Sequence, residues 1–231
     1  MSYILSIDTS TSICSVALSR GIKQVAFRET AEGRSHAHIL MPFVEEVLKE
    51  GGIAPAQLEA VAVSMGPGSY TGLRIGVSTA KGLCYALGIP FIAIPTLQVM
   101  AAGAVAAEAP AAGTLVCPML DARRMEVFSA LYDSNLQEVE PYSPKIIEAD
   151  SFRELLDRQP VLFCGDGMAK CRELLSVHPN ARFNTTPISA RWMAPLALHK
   201  FENRQFEDVA YCEPDYGKAY IAAKPNVKGL H

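Results

Sequence analysis

Short apolar runs and amphipathic runs alternate along this chain, and their order repeats once. Tyr3–Asp8, Cys14–Ser19 and Gln24–Thr30 are rich in Ile, Leu and Val, with Arg20-Gly21 as a tight turn between the second and third. They predict three strands of an antiparallel meander. From about Ser35 to Glu50, Ile39, Leu40, Phe43, Val44, Val47 and Leu48 form one apolar stripe at helical spacing, stopped by Gly51-Gly52. Pro42 falls inside that run, so it either kinks the helix or marks its true first turn. Leu58–Met65 predicts a buried strand, Leu73–Leu87 a helix, Phe91–Ile94 a strand and Thr96–Glu108 an alanine-rich helix. This succession implies parallel βαβ units. Ala109–Gly113 reads as a linker, after which the pattern restarts. Strands at Leu115–Leu120, Glu126–Tyr132 and near Gln137–Tyr142 precede a helix over Ser151–Arg158, where Ser151 and Glu154 make a capping box. Val161–Cys164 is a strand and Met168–Ser176 is helical; Ser189–Asn203 is the candidate for the second half's second helix. Each half therefore reads β-β-β-α-β-α, an α/β chain of two lobes, 1–110 and 111–231. No sequence identity is visible between the halves. The tail from Tyr211, with Pro214, Gly217 and Pro225, is expected to be extended.

Composition excludes several classes. With 49% hydrophobic and 19% charged residues the chain suits a folded protein. A net charge of −3 gives no general attraction for phosphate, so any RNA contact is expected to be weak, local or supplied by a partner. No apolar run reaches the roughly 18 residues of a membrane span, and the first residues read as a strand rather than a signal peptide; a cytoplasmic protein without membrane contact is expected. The six cysteines, Cys14, Cys84, Cys117, Cys164, Cys171 and Cys212, include no CxxC pair. They are expected to be buried free thiols rather than zinc ligands. His36 and His38 fall on different faces of a helix, which makes them poor joint ligands, so no metal site is expected.

Three constellations carry candidate chemistry. Asp8-Thr9-Ser10-Thr11-Ser12 places an acid at a strand end before a hydroxyl-rich turn, which suits a hydrated magnesium ion and a phosphate, or is an ordinary turn. Gly66-Pro67-Gly68-Ser69-Tyr70-Thr71-Gly72 opens a helix directly after a buried strand. Its amides suit an anion, yet it has neither the Gly-Lys-Ser/Thr ending nor the spacing of the nucleotide glycine motifs; the alternative is a demanding turn. Behind it Gly72, Gly76, Ala80 and Cys84 recur every four residues, with Gly82 nearby. An interior helix glycine costs about 1 kcal/mol relative to alanine, so a close neighbour is expected, either this chain's own sheet or another subunit. Asp121-Ala122-Arg123-Arg124 is a charged hairpin turn or a positive patch beside a cleft. No nucleophile elbow occurs.

Taken together, Ile4–Ser10, Cys14–Leu18, His38-Ile39-Leu40-Met41-Pro42, Gly66–Gly76, Pro95-Thr96-Leu97 and Asp121-Ala122-Arg123 resemble the TsaB (YeaZ-like) family over roughly residues 3–130. Glu213-Pro214-Asp215-Tyr216 resembles it more loosely. The resemblance implies the duplicated actin-like/Hsp70-like (ribonuclease H-like) fold. It also implies a non-catalytic partner of TsaD, the relative that transfers a threonylcarbamoyl group to the adenosine next to the anticodon of ANN-decoding tRNAs, with TsaE as third subunit. The implied pairing surface is the two helices of the first lobe, with His38, Met41, Val44, Glu45, Leu48, Tyr70, Leu73, Gly76, Val77, Ala80 and Cys84 as its expected residues; the same surface would serve a homodimer when the chain is alone. Gly76→Leu or Ala80→Arg is then expected to abolish pairing and leave the fold intact. TsaD carries His-x-x-x-His after the strand that follows the glycine helix, and it binds the metal; Thr96 and Met100 stand there instead, which argues against transfer chemistry and against the older glycoprotease label. Asp8, Thr9, Ser10, Gly66, Gly68, Gly165 and Gly167 are the expected remnant of a nucleotide site, with weak or absent ATP or ADP and Mg2+ binding; Asp166 is expected to cap the following helix. The rival reading is a kinase-like ATPase of the same fold.

Overall fold

The computed structural model describes residues 1–31 and 36–217. Three strands open the chain: β1 (Tyr3–Asp8), β2 (Cys14–Arg20) and β3 (Lys23–Thr30). Helix α1 (His36–Glu50) leads to β4 (Ala60–Gly66), and α2 (Tyr70–Leu87), β5 (Phe91–Pro95) and α3 (Thr96–Glu108) complete the first half. The second half runs β6 (Leu115–Asp121), β7 (Glu126–Tyr132), β8 (Glu138–Ile146), α4 (Arg153–Arg158), β9 (Val161–Cys164), α5 (Met168–Leu175), β10 (Ala181–Phe183) and α6 (Ala194–Glu202). The two sheets have one topology. Their orders are β3-β2-β1-β4-β5 and, read from the other end, β8-β7-β6-β9-β10. In each, the first strand pairs antiparallel with the second and parallel with the fourth. This is the duplicated actin-like architecture.

The inner strands β1, β2, β4, β6, β7 and β9 are buried on both faces because helices cover both sides of each sheet, while the edge strands β3 and β8 keep exposed polar residues. On β1, Leu5 and Ile7 join the core under α1 and α2, while Ile4 points to the central core. The central core is shared: Ile4, Ala62 and Ile94 of the first sheet meet Val116, Ala130 and Leu162 of the second around α3 and the segment from Ile188 to Ala197. A third core lies between the second sheet and α4 and α5. The layers therefore run helix, sheet, helix, sheet, helix.

Three expectations need correction, and one strand was not anticipated. The second half's second helix is α5, and the Ser189–Asn203 region instead forms a short 3-10 turn (Ala190–Trp192) followed by α6. α6 packs on β1 and β5 of the first lobe, just as α3 packs on β6, β7 and β9 of the second. The third helix of each half thus packs against the other lobe's sheet, and α3 also keeps its contact with β4 and β5 of its own, so these two helices tie the halves together across the 110/111 split. The capping box at Ser151 is absent. α4 begins one residue later behind Phe152 in a left-handed conformation, and the Ser151 hydroxyl accepts from Glu148 N at 2.9 Å. Pro42 does not mark a first turn, since α1 starts six residues before it. Finally β10, a three-residue edge strand, had no sequence signal long enough to read.

Candidate functional site

Two surfaces emerge, an interlobe cleft and the outer face of the α1–α2 pair. The cleft, about 660 Å3, is lined by Ser10, Thr11, Ser12, His36 and the Gly68–Thr71 loop on one side, and by Leu120, Asp121, Arg123, Phe128 and Asp166 on the other. The Asp8–Ser12 turn sits at its base because β1 ends there against α2. Thr9 Oγ donates to Gly72 O at 2.7 Å, and Ser69 N donates to Ser10 O at 2.7 Å. A Cβ on Gly68 would lie 2.6 Å from Ser10 O, and one on Gly72 or Gly76 would overlap Thr9. These glycines are therefore small because the turn presses on them.

Asp8 is fully buried beneath that turn. Its Oδ1 accepts from Ser10 N at 3.2 Å and from Ser10 Oγ at 3.1 Å. Burial pushes its carboxyl up to about 6, against the opposing pull of Ser64, Ser10 and His36. Across the cleft, Gly165 and Gly167 are packed on the backbone of Met119 and Leu120. Asp166 is not a helix cap: Gly167 holds that position, and Asp166 Oδ1 accepts from Asp121 N at 3.1 Å. Burial raises the Asp166 carboxyl, whereas the Lys170 ammonium bonded to Asp121 lowers that one. The Asp121–Arg124 hairpin turns with Arg123 and Arg124 both at positive φ, 73° and 51°. It brings Arg123 to the cleft, but with Asp121 beside it the patch is mixed rather than positive.

The expected pairing residues divide by face. Val44, Leu48, Leu73, Gly76, Val77, Ala80 and Cys84 are buried in the chain's own core under α1 and α2. They cannot be the contact surface of the folded chain, and Gly76→Leu or Ala80→Arg would disrupt the fold rather than pairing alone. His38, Met41, Glu45 and Tyr70 are exposed. Beside them stand Ser78 and Tyr85, which no sequence pattern singles out, and Gly82, which lies near the four-residue repeat without belonging to it. Ser78, Gly82 and Tyr85 are exposed at helical spacing on the outer face of α2, and a Cβ on Gly82 would meet nothing within 4 Å. A groove of about 460 Å3 runs between Ala37 of α1 and Tyr70, Arg74, Ile75, Ser78 and Thr79 of α2. Exposed Met41 (40%), Tyr70 (54%) and Tyr85 (85%) stand on these two helices.

Thr96 and Met100, which the resemblance sets against the TsaD histidines, are buried at the start of α3. Among the described residues no group of three or more His, Cys, Asp or Glu is arranged to hold a metal, and no helix is long and apolar enough to cross a membrane. The six cysteines are free, five of them buried. The loosely matching Glu213–Tyr216 segment has no regular secondary structure and runs beside the end of β4, where Asp215 N donates to Met65 O at 2.8 Å.

Comparison with known proteins agrees with this architecture. The family model for TsaD, tRNA N6-adenosine threonylcarbamoyltransferase, matches residues 28–212. The "tRNA threonylcarbamoyladenosine biosynthesis protein TsaB" of Bacillus subtilis is 35% identical over 176 residues, 74% of each chain. That of Escherichia coli is 39% identical over 129 residues, 56% of this chain and 54% of that protein, so the match spans about half of its length. The solved structure of YeaZ from Pseudomonas aeruginosa superposes with a TM-score of 0.79 at 28% identity, covering 94% of this chain and all of that one. With two sheets of one topology, a glycine loop seated on the Asp8 turn and these relatives, the chain belongs to the TsaB (YeaZ-like) family and shares its fold with TsaD.

Proposed function

We propose that this chain acts in tRNA threonylcarbamoyladenosine formation as a non-catalytic partner of TsaD, docking through the outer faces of α1 and α2 and favouring TsaD's active conformation, with TsaE as third subunit. The observation that carries this reading is Gly82. Inside a helix a glycine costs about 1 kcal/mol, and here no atom of the described residues comes within 4 Å of the space it leaves. On the same helix Ser78 and Thr79 are small and Tyr85 is exposed, and on α1 Met41 is exposed, surfaces that let a second helix pair approach closely. Alone, the chain would cover the same face by self-pairing. Contact with tRNA is left to the partner, and the location is cytoplasmic.

The cleft fits a nucleotide poorly. Against the hydroxyls of Ser10, Thr11 and Ser12 it sets the carboxylates of Asp121 and Asp166, with Arg123 as the one arginine or lysine on its described lining. The carboxyl of Asp8, the expected magnesium holder, lies beneath Ser10 and not on the cleft lining. ATP or ADP with Mg2+ would therefore bind weakly or not at all, which disfavours the kinase-like reading. Reconstitution of tRNA modification tests the whole: product should require TsaD, TsaE and this chain together. Product without this chain, or from this chain without TsaD, would overturn the proposal.

A further inference from the structure

The segment from Cys212 to Gly217 touches both lobes. On the first lobe, Lys81 Nζ donates to Cys212 O at 3.0 Å, and Asp215 N donates to Met65 O at 2.8 Å. A Cβ on Gly66 would overlap the Asp215 carbonyl, so that glycine, at φ 124°, is shaped to receive the segment. Tyr216 lies on Tyr70 with ring centroids 4.7 Å apart. On the second lobe, the Tyr142 hydroxyl of β8 donates to the Asp215 carboxylate, and a Cβ on Gly217 would lie 2.7 Å from the Phe128 ring. Phe128 in turn packs edge-on against Tyr142 at 6.0 Å. Tyr70 and Phe128 both line the interlobe cleft.

We infer that Cys212–Gly217 is a clasp across the two lobes, which holds the cleft closed through Tyr142–Asp215 on one side and Tyr70–Tyr216 on the other. Widening the cleft at this end requires only one of the two contacts to give way, because the segment joins the lobes in series. A single residue, Asp215, is bonded by its backbone to the first lobe and by its side chain to the second, so the two ends cannot open independently. Loosening either end therefore loosens the other, and access to the cleft is set by a segment far from its lining in sequence. This inference does not depend on TsaD.

Hydrogen exchange on the isolated chain tests it, with Tyr142→Phe and Tyr216→Ala, singly and together. Tyr142→Phe removes one oxygen from a half-buried ring, and the amides of β1 serve as the control for an intact fold. Each single variant should raise exchange by at least about threefold in both residues 64–73 and residues 138–146. The double variant should add little to the larger single effect, because one opening event is shared. If each variant raises exchange only in the lobe it touches, or the two effects multiply, the segment is a passive tail and the clasp is wrong. Unchanged exchange at residues 64–73 in Tyr142→Phe, with β1 protected, also overturns it.

Discussion

Replacing Asp8 with asparagine should stabilise the isolated chain by an amount that depends on pH. Burial raises the Asp8 carboxyl from 3.8 to about 6, roughly two units at about 1.4 kcal/mol each. The charged form therefore costs the fold roughly 3 kcal/mol. The sign follows from which state holds the proton. Below about pH 4 the carboxyl is protonated in both folded and unfolded chains, and the penalty is nil. Between about pH 4 and pH 6 the unfolded chain releases its proton first, so stability falls as pH rises; above about pH 6 the penalty is complete and flat. Asparagine keeps an oxygen to accept from Ser10 N and Oγ but has no charge to bury. Urea unfolding of both forms from about pH 4 to pH 8, with the slope checked for constancy, isolates the effect, since other titrating groups cancel in the difference. The Asp8→Asn gain should rise from near zero to about 3 kcal/mol across that window. A gain that does not change with pH, or a loss at neutral pH, would refute the buried-carboxylate account.

Two further variants test local energetics. Gly82→Ala should stabilise the isolated chain by about 1 kcal/mol, a rise in Tm of roughly 2–4 °C by calorimetry, and should weaken pairing, because a methyl enters the face a partner helix would approach. Arg123→Asn together with Arg124→Gly should stabilise the fold by about 1–2 kcal/mol in urea unfolding, because both arginines sit in a left-handed conformation that asparagine and glycine adopt at less cost.

Much of the fold was legible because its strands and helices are short and carry strong patterns. α3 begins at Thr96 and ends at Glu108 as its sequence reads, between Pro95 and the turn residues that follow. What could not be read was where α6 goes. Its residues say only that one face is apolar, and both lobes offer a sheet to cover it. α4 misled because Ser151 and Glu154 have capping spacing, yet Phe152 packs on Phe163 at 5.4 Å and takes the left-handed position instead. At the proposed pairing surface the expected residues fell on two faces. The apolar stripe of α1 and the four-residue repeat of α2 mark the inner side, where the chain's own sheet and Thr9 require them. The outer side of a helix pair that also meets water carries small and polar residues, Ser78, Thr79 and Gly82, and these lack the hydrophobic signal that periodicity detects. Gly82 was visible in the sequence, but only the structure separates a glycine pressed by its neighbours from one facing open space.

The most direct test is light scattering after size-exclusion chromatography, on this chain mixed with TsaD of the same organism, as wild type and as Ser78→Arg. Ser78 is exposed in the middle of the outer face and lines the groove between the helices, so the substitution alters the surface and leaves the core alone. A one-to-one species that forms with the wild type and is lost in Ser78→Arg is the predicted result. No complex with the wild type, or a complex of unchanged affinity with Ser78→Arg, would contradict the account.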